Sequence, residues 1–135
     1  MNNKGFTLIE LLTVIAIIAI LAAITLVTFP VAQSRAKDAR TINAMQQLRV
    51  AAEASRGAYG DYRQVKETGS ADPTIVSLVA EINDNAQDLT MVPAAPTTKY
   101  CAEATLQAGG RTWCIDSAMF SGYDQTCNAV SYVCE

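Results

Sequence analysis

Seven residues near the start of the chain, Lys4-Gly5-Phe6-Thr7-Leu8-Ile9-Glu10, hold the groups best placed to do chemistry. Glu10 is the anomaly. From Leu11 to Val31 no residue is ionisable, and the only polar ones are Thr13, Thr25 and Thr28. A carboxylate inside such a membrane helix costs about 2.5 to 3.5 kcal/mol, so it calls for a partner or a function. Nothing basic follows it within a helical turn, and Lys4 lies six residues before it. A cut after Gly5 would create a backbone amine at Phe6. Four residues of helix separate that amine from the Glu10 carboxylate by about 6 Å, which suits a neighbouring chain shifted along a common axis better than the same chain. The chemistry implied is charge pairing between copies.

The element that must position Glu10 is an apolar helix. With Phe6 to Glu10 in front, residues 6 to 31 reach the roughly 20 needed to span a bilayer. An ordinary secretory signal peptide over Met1 to Ala23 is the plain alternative. Against it stand the short leader, the acid at position 10, and apolar character that continues past Ala22-Ala23. Charge counting conflicts with export. Lys4 precedes the span while Arg35, Lys37 and Arg40 follow it, which on that count alone puts the C-terminal side in the cytoplasm. The cysteines and the leader pattern both place that side outside, and they prevail.

The run Lys4-Gly5-Phe6-Thr7-Leu8-Ile9-Glu10 resembles the class III leader motif of type IV pilins and their secretion-system relatives, the pseudopilins. The resemblance covers about the first 31 residues. It implies cleavage between Gly5 and Phe6, N-methylation of Phe6, and use of Glu10, with Phe6, in assembly. It also implies that the cleaving partner is a membrane prepilin peptidase and N-methyltransferase, and that a pilus assembly platform receives the product. Such a chain would cross the cytoplasmic membrane once with its N-terminus inside, then leave it for an extracellular pilus.

Composition narrows the rest. The chain has 135 residues, enough for an anchor and one small domain with a thin core. The expected division is a leader at 1–5, a transmembrane and assembly helix at 6–32, and a globular domain at 33–135. Formal charge is −3, and removal of Lys4 with the leader makes it one unit more negative. A nucleic-acid scaffold is therefore disfavoured by bulk charge. There is no histidine, which removes the commonest general base and zinc ligand. Asp84, Asp88, Asp116 and Asp124 fit no calcium loop and are expected to be solvated surface carboxylates. Arg35, Lys37 and Arg40 are expected on a solvated helix face. No nucleophile pattern is present, so neither an active site nor a cofactor is expected.

Cys101, Cys114, Cys127 and Cys134 all fall in the last 35 residues. Their spacing matches neither a zinc knuckle nor a Cys-x-x-Cys redox motif, and their even number predicts two disulfides.

The expected fold is α+β and pilin-like. One long helix runs from about Thr7 to Arg56, on the order of 75 Å at 1.5 Å per residue. Gly57 is its expected cap, and Pro30 is expected to bend it. Pilin helices imply curvature at a proline a few residues earlier, a position held here by Val27. Ile42, Met45, Leu48 and Ala52 mark the helix face that carries a small antiparallel sheet. Tyr59 and Tyr62 should pack back on the helix from a loop at 58–73. Asp72 and Pro73 should open a second helix ending near Asn83. Leu89 to Pro96 is expected to be extended. Lys99–Gln107 and Arg111–Asp116 should form a hairpin about Gly109-Gly110. Phe120 to Asn128 reads as a loop and Ala129–Cys134 as a third strand.

That hairpin sets Cys114 opposite Thr105 and Cys101 opposite Ala118. The two cysteines are then offset by four residues, on the order of 13 Å, against the roughly 7 Å a disulfide tolerates. The sequence thus favours Cys101–Cys134 with Cys114–Cys127, or Cys101–Cys127 with Cys114–Cys134. The roles open to the chain are a type IV pilus subunit, serving adhesion, surface motility or DNA uptake; a pseudopilin of a type II-like secretion system; and a non-polymerising exported binding domain. Its principal partner would be itself, in a helical homopolymer, with DNA a further candidate.

Overall fold

The computed structural model describes residues 5–92 and 98–135. The chain divides into two compact units, Met1–Gln33 and Ser34–Glu135. Helix α1, Leu8–Tyr59, contributes to both. Alanine and arginine are the commonest residues of its second half, and both are good helix formers. Pro30 lies inside the helix without ending it. Gly57 does not cap it either, contrary to expectation. A mid-helix glycine costs only about 1 kcal/mol, and the chain continues to Gly60, which has φ +80° and whose N–H reaches the Arg56 carbonyl at 2.7 Å. Only there does the backbone enter the left-handed region that glycine adopts freely.

In the second unit α1 buries Thr41, Ala44, Met45, Leu48, Ala51, Ala52 and Ser55. Ile42, expected on this face with Met45, Leu48 and Ala52, is only half-buried. Met45 and Leu48, with Ala44 and Ala52, carry this face into the core. Tyr62 packs back as expected and donates to Glu53 Oε1 at 2.6 Å. Tyr59 stays exposed and is the last residue of α1.

Helix α2, Pro73–Asn85, begins where expected. The Asp72 carboxylate accepts from Thr74 N at 2.9 Å and Ile75 N at 3.4 Å, satisfying amides the helix itself cannot. It extends two residues past the expected end, with Ile75, Leu78, Val79 and Ile82 buried.

Among the described residues four antiparallel strands follow in the order β1-β2-β3-β4: Asp88–Val92, Cys101–Thr105, Thr112–Asp116 and Ser121–Tyr123. The expected extended segment therefore pairs over its first part, with Leu89 opposite Ala104. Residues 93–96 of it lie outside the described residues. The β2–β3 hairpin is longer-turned than expected. Leu106 N bonds Arg111 O at 2.8 Å, four residues lie between them, and Cys101 faces Asp116 rather than Ala118. The reason is Asp38 on α1. Its two carboxylate oxygens accept from Gln107 N at 2.6 Å and Ala108 N at 3.0 Å, which holds the wider loop.

The expected strand at 129–134 is absent, and Ser121–Tyr123 takes the last sheet position instead. Gly122 permits this, since a Cβ there would sit 2.8 Å from the Phe120 ring. Residues 126–135 form a loop closed by reciprocal bonds between Thr126 and Glu135 at 2.9 and 3.0 Å.

Tyr100 and Tyr62 sit together in this core, ring centroids 4.8 Å apart. Burial first, then the nearby Glu53 carboxylate, pushes the Tyr100 phenol well above its ordinary value, and burial raises Tyr62 in the same direction. Folding thus favours the neutral phenols. That contribution is complete below about pH 10, the unfolded value, and is lost as pH rises through the raised folded values. In an alkaline titration, phenolate absorbance from these two residues should appear only together with loss of circular dichroism. Their ionisation with the helices intact would contradict the burial.

Candidate assembly site

Glu10 stands in the first turn of α1. Thr7 directly precedes the helix and acts as its cap. Glu10 Oε2 accepts from Thr7 N at 2.8 Å and from Thr7 Oγ1 at 2.7 Å, while Glu10 N donates to Thr7 Oγ1 at 3.3 Å. This is a reciprocal capping box, in which the cap and the third helical residue satisfy each other's orphan groups. Glu10 therefore has a partner in its own chain, contrary to the expectation of a stranded carboxylate. The sequence carries the signal as Thr7-x-x-Glu10, a pattern that concerns backbone amides and not charge. The other oxygen of Glu10, Oε1, makes no hydrogen bond among the described residues. The carboxylate is thus positioned at the helix start with acceptor capacity left over.

Gly5 and Phe6 precede the helix and are exposed. Lys4 lies outside the described residues. Behind Glu10 the helix offers almost unbroken apolar surface, and Phe6, Leu8, Leu26 and Val27 are each more than three-quarters exposed in the single chain. The threonines do not interrupt it. Thr13 donates to Glu10 O at 3.0 Å, Thr25 to Ala22 O at 2.9 Å and Thr28 to Ile24 O at 3.1 Å. Each hydroxyl is spent on its own helix, so the surface can meet lipid or another apolar helix. By length and composition α1 suffices to cross a membrane.

The cysteines lie in the other unit. Cys101 joins Cys127 and Cys114 joins Cys134, with Cα separations of 5.6 and 6.0 Å. This is one of the two pairings left open by the sequence. It tethers residues 124–135 to β2 and β3. Glu103 Oε2 accepts from Cys127 N at 2.6 Å and Asp116 Oδ2 from Cys134 N at 3.0 Å.

Asp116 is not the solvated carboxylate expected. It is 2% exposed, and its Oδ1 also accepts from Ala118 N at 2.8 Å and Phe120 N at 3.1 Å. Asp124 is also engaged: Arg111 Nη2 lies 2.8 Å away, and the guanidinium holds the Asp124 carboxyl below its usual range. Arg111 in turn stacks 4.2 Å over the Tyr123 ring. Among the described residues no group of three or more His, Cys, Asp or Glu side chains could hold a metal ion.

Residues 1–26 match the family described as the prokaryotic N-terminal methylation motif. The N-terminus is a class III prepilin leader. This agrees with a type IV pilin or pseudopilin, a class of structural subunits, and with insertion of the apolar helix into a membrane. A leader of this class implies processing by a prepilin peptidase. No curated protein and no solved structure matches the chain.

Proposed function

We propose that this chain is the repeated subunit of a type IV pilus filament. The observation that carries the proposal is Glu10, held by Thr7 and with its other oxygen unengaged among the described residues, at the head of an exposed apolar helix just after Gly5-Phe6. The precursor waits in the cytoplasmic membrane with residues 33–135 outside. A prepilin peptidase and N-methyltransferase removes residues 1–5 and methylates the Phe6 amine. Glu10 then accepts that amine from an adjacent copy, which sets the axial step. The apolar surfaces of residues 6–32 pass from lipid into a shared core on the assembly platform. A head-to-tail contact that does not close a ring grows into an open helical fibre. Glu10 favours the polymer over a solitary exported domain, which has no use for an acid in its anchor.

Intact mass spectrometry of the chain from cells that carry a prepilin peptidase tests the processing. The expected species begins at Phe6, carries one added methyl group and lacks four cysteine hydrogens. A mature chain that still begins at Met1, or starts well past Ala23, would overturn the proposal.

A further inference from the structure

The two disulfides are not independent. Cys114 Sγ lies 4.0 Å from Cys127 Sγ, although each belongs to a different bridge. Cys101 and Cys114 are fully buried on β2 and β3. Cys127 and Cys134 are half-buried and face each other across an antiparallel bridge, so the four sulfurs share one corner of the domain. An external thiol can approach only the second pair.

We propose that this corner is a thiol-exchange site, entered at Cys134, that interconverts the two disulfide connectivities. Exchange proceeds by attack of a thiolate on a disulfide sulfur. An external monothiol gives its proton to solvent and attacks Cys134 Sγ. The Cys114–Cys134 bond breaks, a mixed disulfide forms on Cys134, and Cys114 leaves as a thiolate. That sulfur already touches Cys127. It attacks Cys127 Sγ, the Cys114–Cys127 bond forms, the Cys101–Cys127 bond breaks and Cys101 leaves as a thiolate. Cys101 then attacks Cys134 Sγ, which gives Cys101–Cys134 and returns the external thiolate to recover its proton. No electrons are gained or lost overall, and the thiol is a catalyst.

Entry at Cys127 would expel Cys101 instead. Either order needs the same attack of Cys101 on Cys134, but entry at Cys134 makes its first internal step across the 4.0 Å Cys114–Cys127 contact, so Cys134 is the favoured entry. Glu103 and Asp116 hold the Cys127 and Cys134 amides meanwhile, which keeps the backbone in place while sulfurs change partners. A chain oxidised into the other pairing can thereby correct itself without unfolding.

The test is Cys101→Ser in the full-length chain, purified in detergent without added thiol. Cys127 is then a free thiol beside Cys114. The expected result is a shift of the Cys114 partner from Cys134 to Cys127, with Cys134 released. Digestion with trypsin and chymotrypsin places the four cysteines on separate peptides for non-reducing mass analysis. Retention of Cys114–Cys134 alone, with Cys127 free, would overturn the proposal. Should that variant misfold, the unmodified chain under catalytic glutathione tests the same exchange. Cys114–Cys127 and Cys101–Cys134 should appear beside the original pairs without accumulation of free thiols. Persistence of the original pairs alone, or their loss to free thiols, would count against exchange.

Discussion

Glu10→Ala should leave the Ser34–Glu135 unit folded and the chain in the membrane, while filament yield falls by at least about a hundredfold. Leaving one member of a buried ion pair unpartnered costs about 3 to 5 kcal/mol, and every 1.4 kcal/mol is about tenfold in an equilibrium. Each subunit added to a filament would carry that deficit. Insertion into lipid should improve, since the acid was itself unfavourable there. Glu10 also caps its own helix through Thr7, a task separate from the charge it offers a neighbour in the proposed assembly. Loss of the cap alone costs about 1 kcal/mol. Glu10→Gln separates the two, because the amide oxygen can still accept from Thr7 but carries no charge. It should fail in assembly nearly as badly as alanine. Shear-released filaments counted by electron microscopy, against membrane-bound subunit on a blot, give the readout. Normal filaments from either variant would refute the pairing.

Asp116→Ala should lower the melting temperature of the Ser34–Glu135 unit by roughly 15 to 30 °C. One nearly inaccessible carboxylate there satisfies the amides of Ala118, Phe120 and Cys134, and so ties the β3–β4 turn to the C-terminal loop. An orphaned buried donor costs about 1 to 3 kcal/mol. Three of them, partly re-solvated, amount to about 4 kcal/mol. In a domain of this size each kcal/mol moves the midpoint by about 4 to 8 °C. Asp116→Asn keeps an acceptor for the turn and should cost less than half as much. Thermal unfolding followed by circular dichroism under non-reducing conditions measures both. An alanine variant that melts within a few degrees of the parent would show that the turn does not depend on this side chain.

What is local in this fold is legible in the sequence, and what is not local is hidden there. The apolar run with its single acid, the Asp72-Pro73 start of α2 and the existence of a hairpin before Asp116 all depend on neighbouring residues, and all are where the residues put them. The hairpin register departs from expectation because Gly109-Gly110 looks like a two-residue turn. A carboxylate some 70 positions earlier, Asp38, bonds the loop amides and widens it. β4 is invisible in the sequence because Ser121-Gly122-Tyr123 has little strand propensity of its own. It pairs because β3 offers an edge and Phe120 folds its ring over Gly122. Asp116 looks like surface charge because its burial depends on the C-terminal loop: two of its partner amides, Ala118 and Phe120, are in the adjoining turn, but the third, Cys134, is 18 residues away. At Glu10 the difficulty is different. The capping pattern is adjacent and visible, but a charge in lipid dominates the reading of that carboxylate and masks its second use as an acceptor for its own backbone.

A high-resolution reconstruction of filaments sheared from cells tests the assembly step most directly. The Glu10 carboxylate should lie within hydrogen-bonding distance, about 3 Å, of the Phe6 nitrogen of an adjacent subunit. A filament in which Glu10 contacts only its own Thr7, with every neighbouring Phe6 nitrogen beyond reach, would contradict the account.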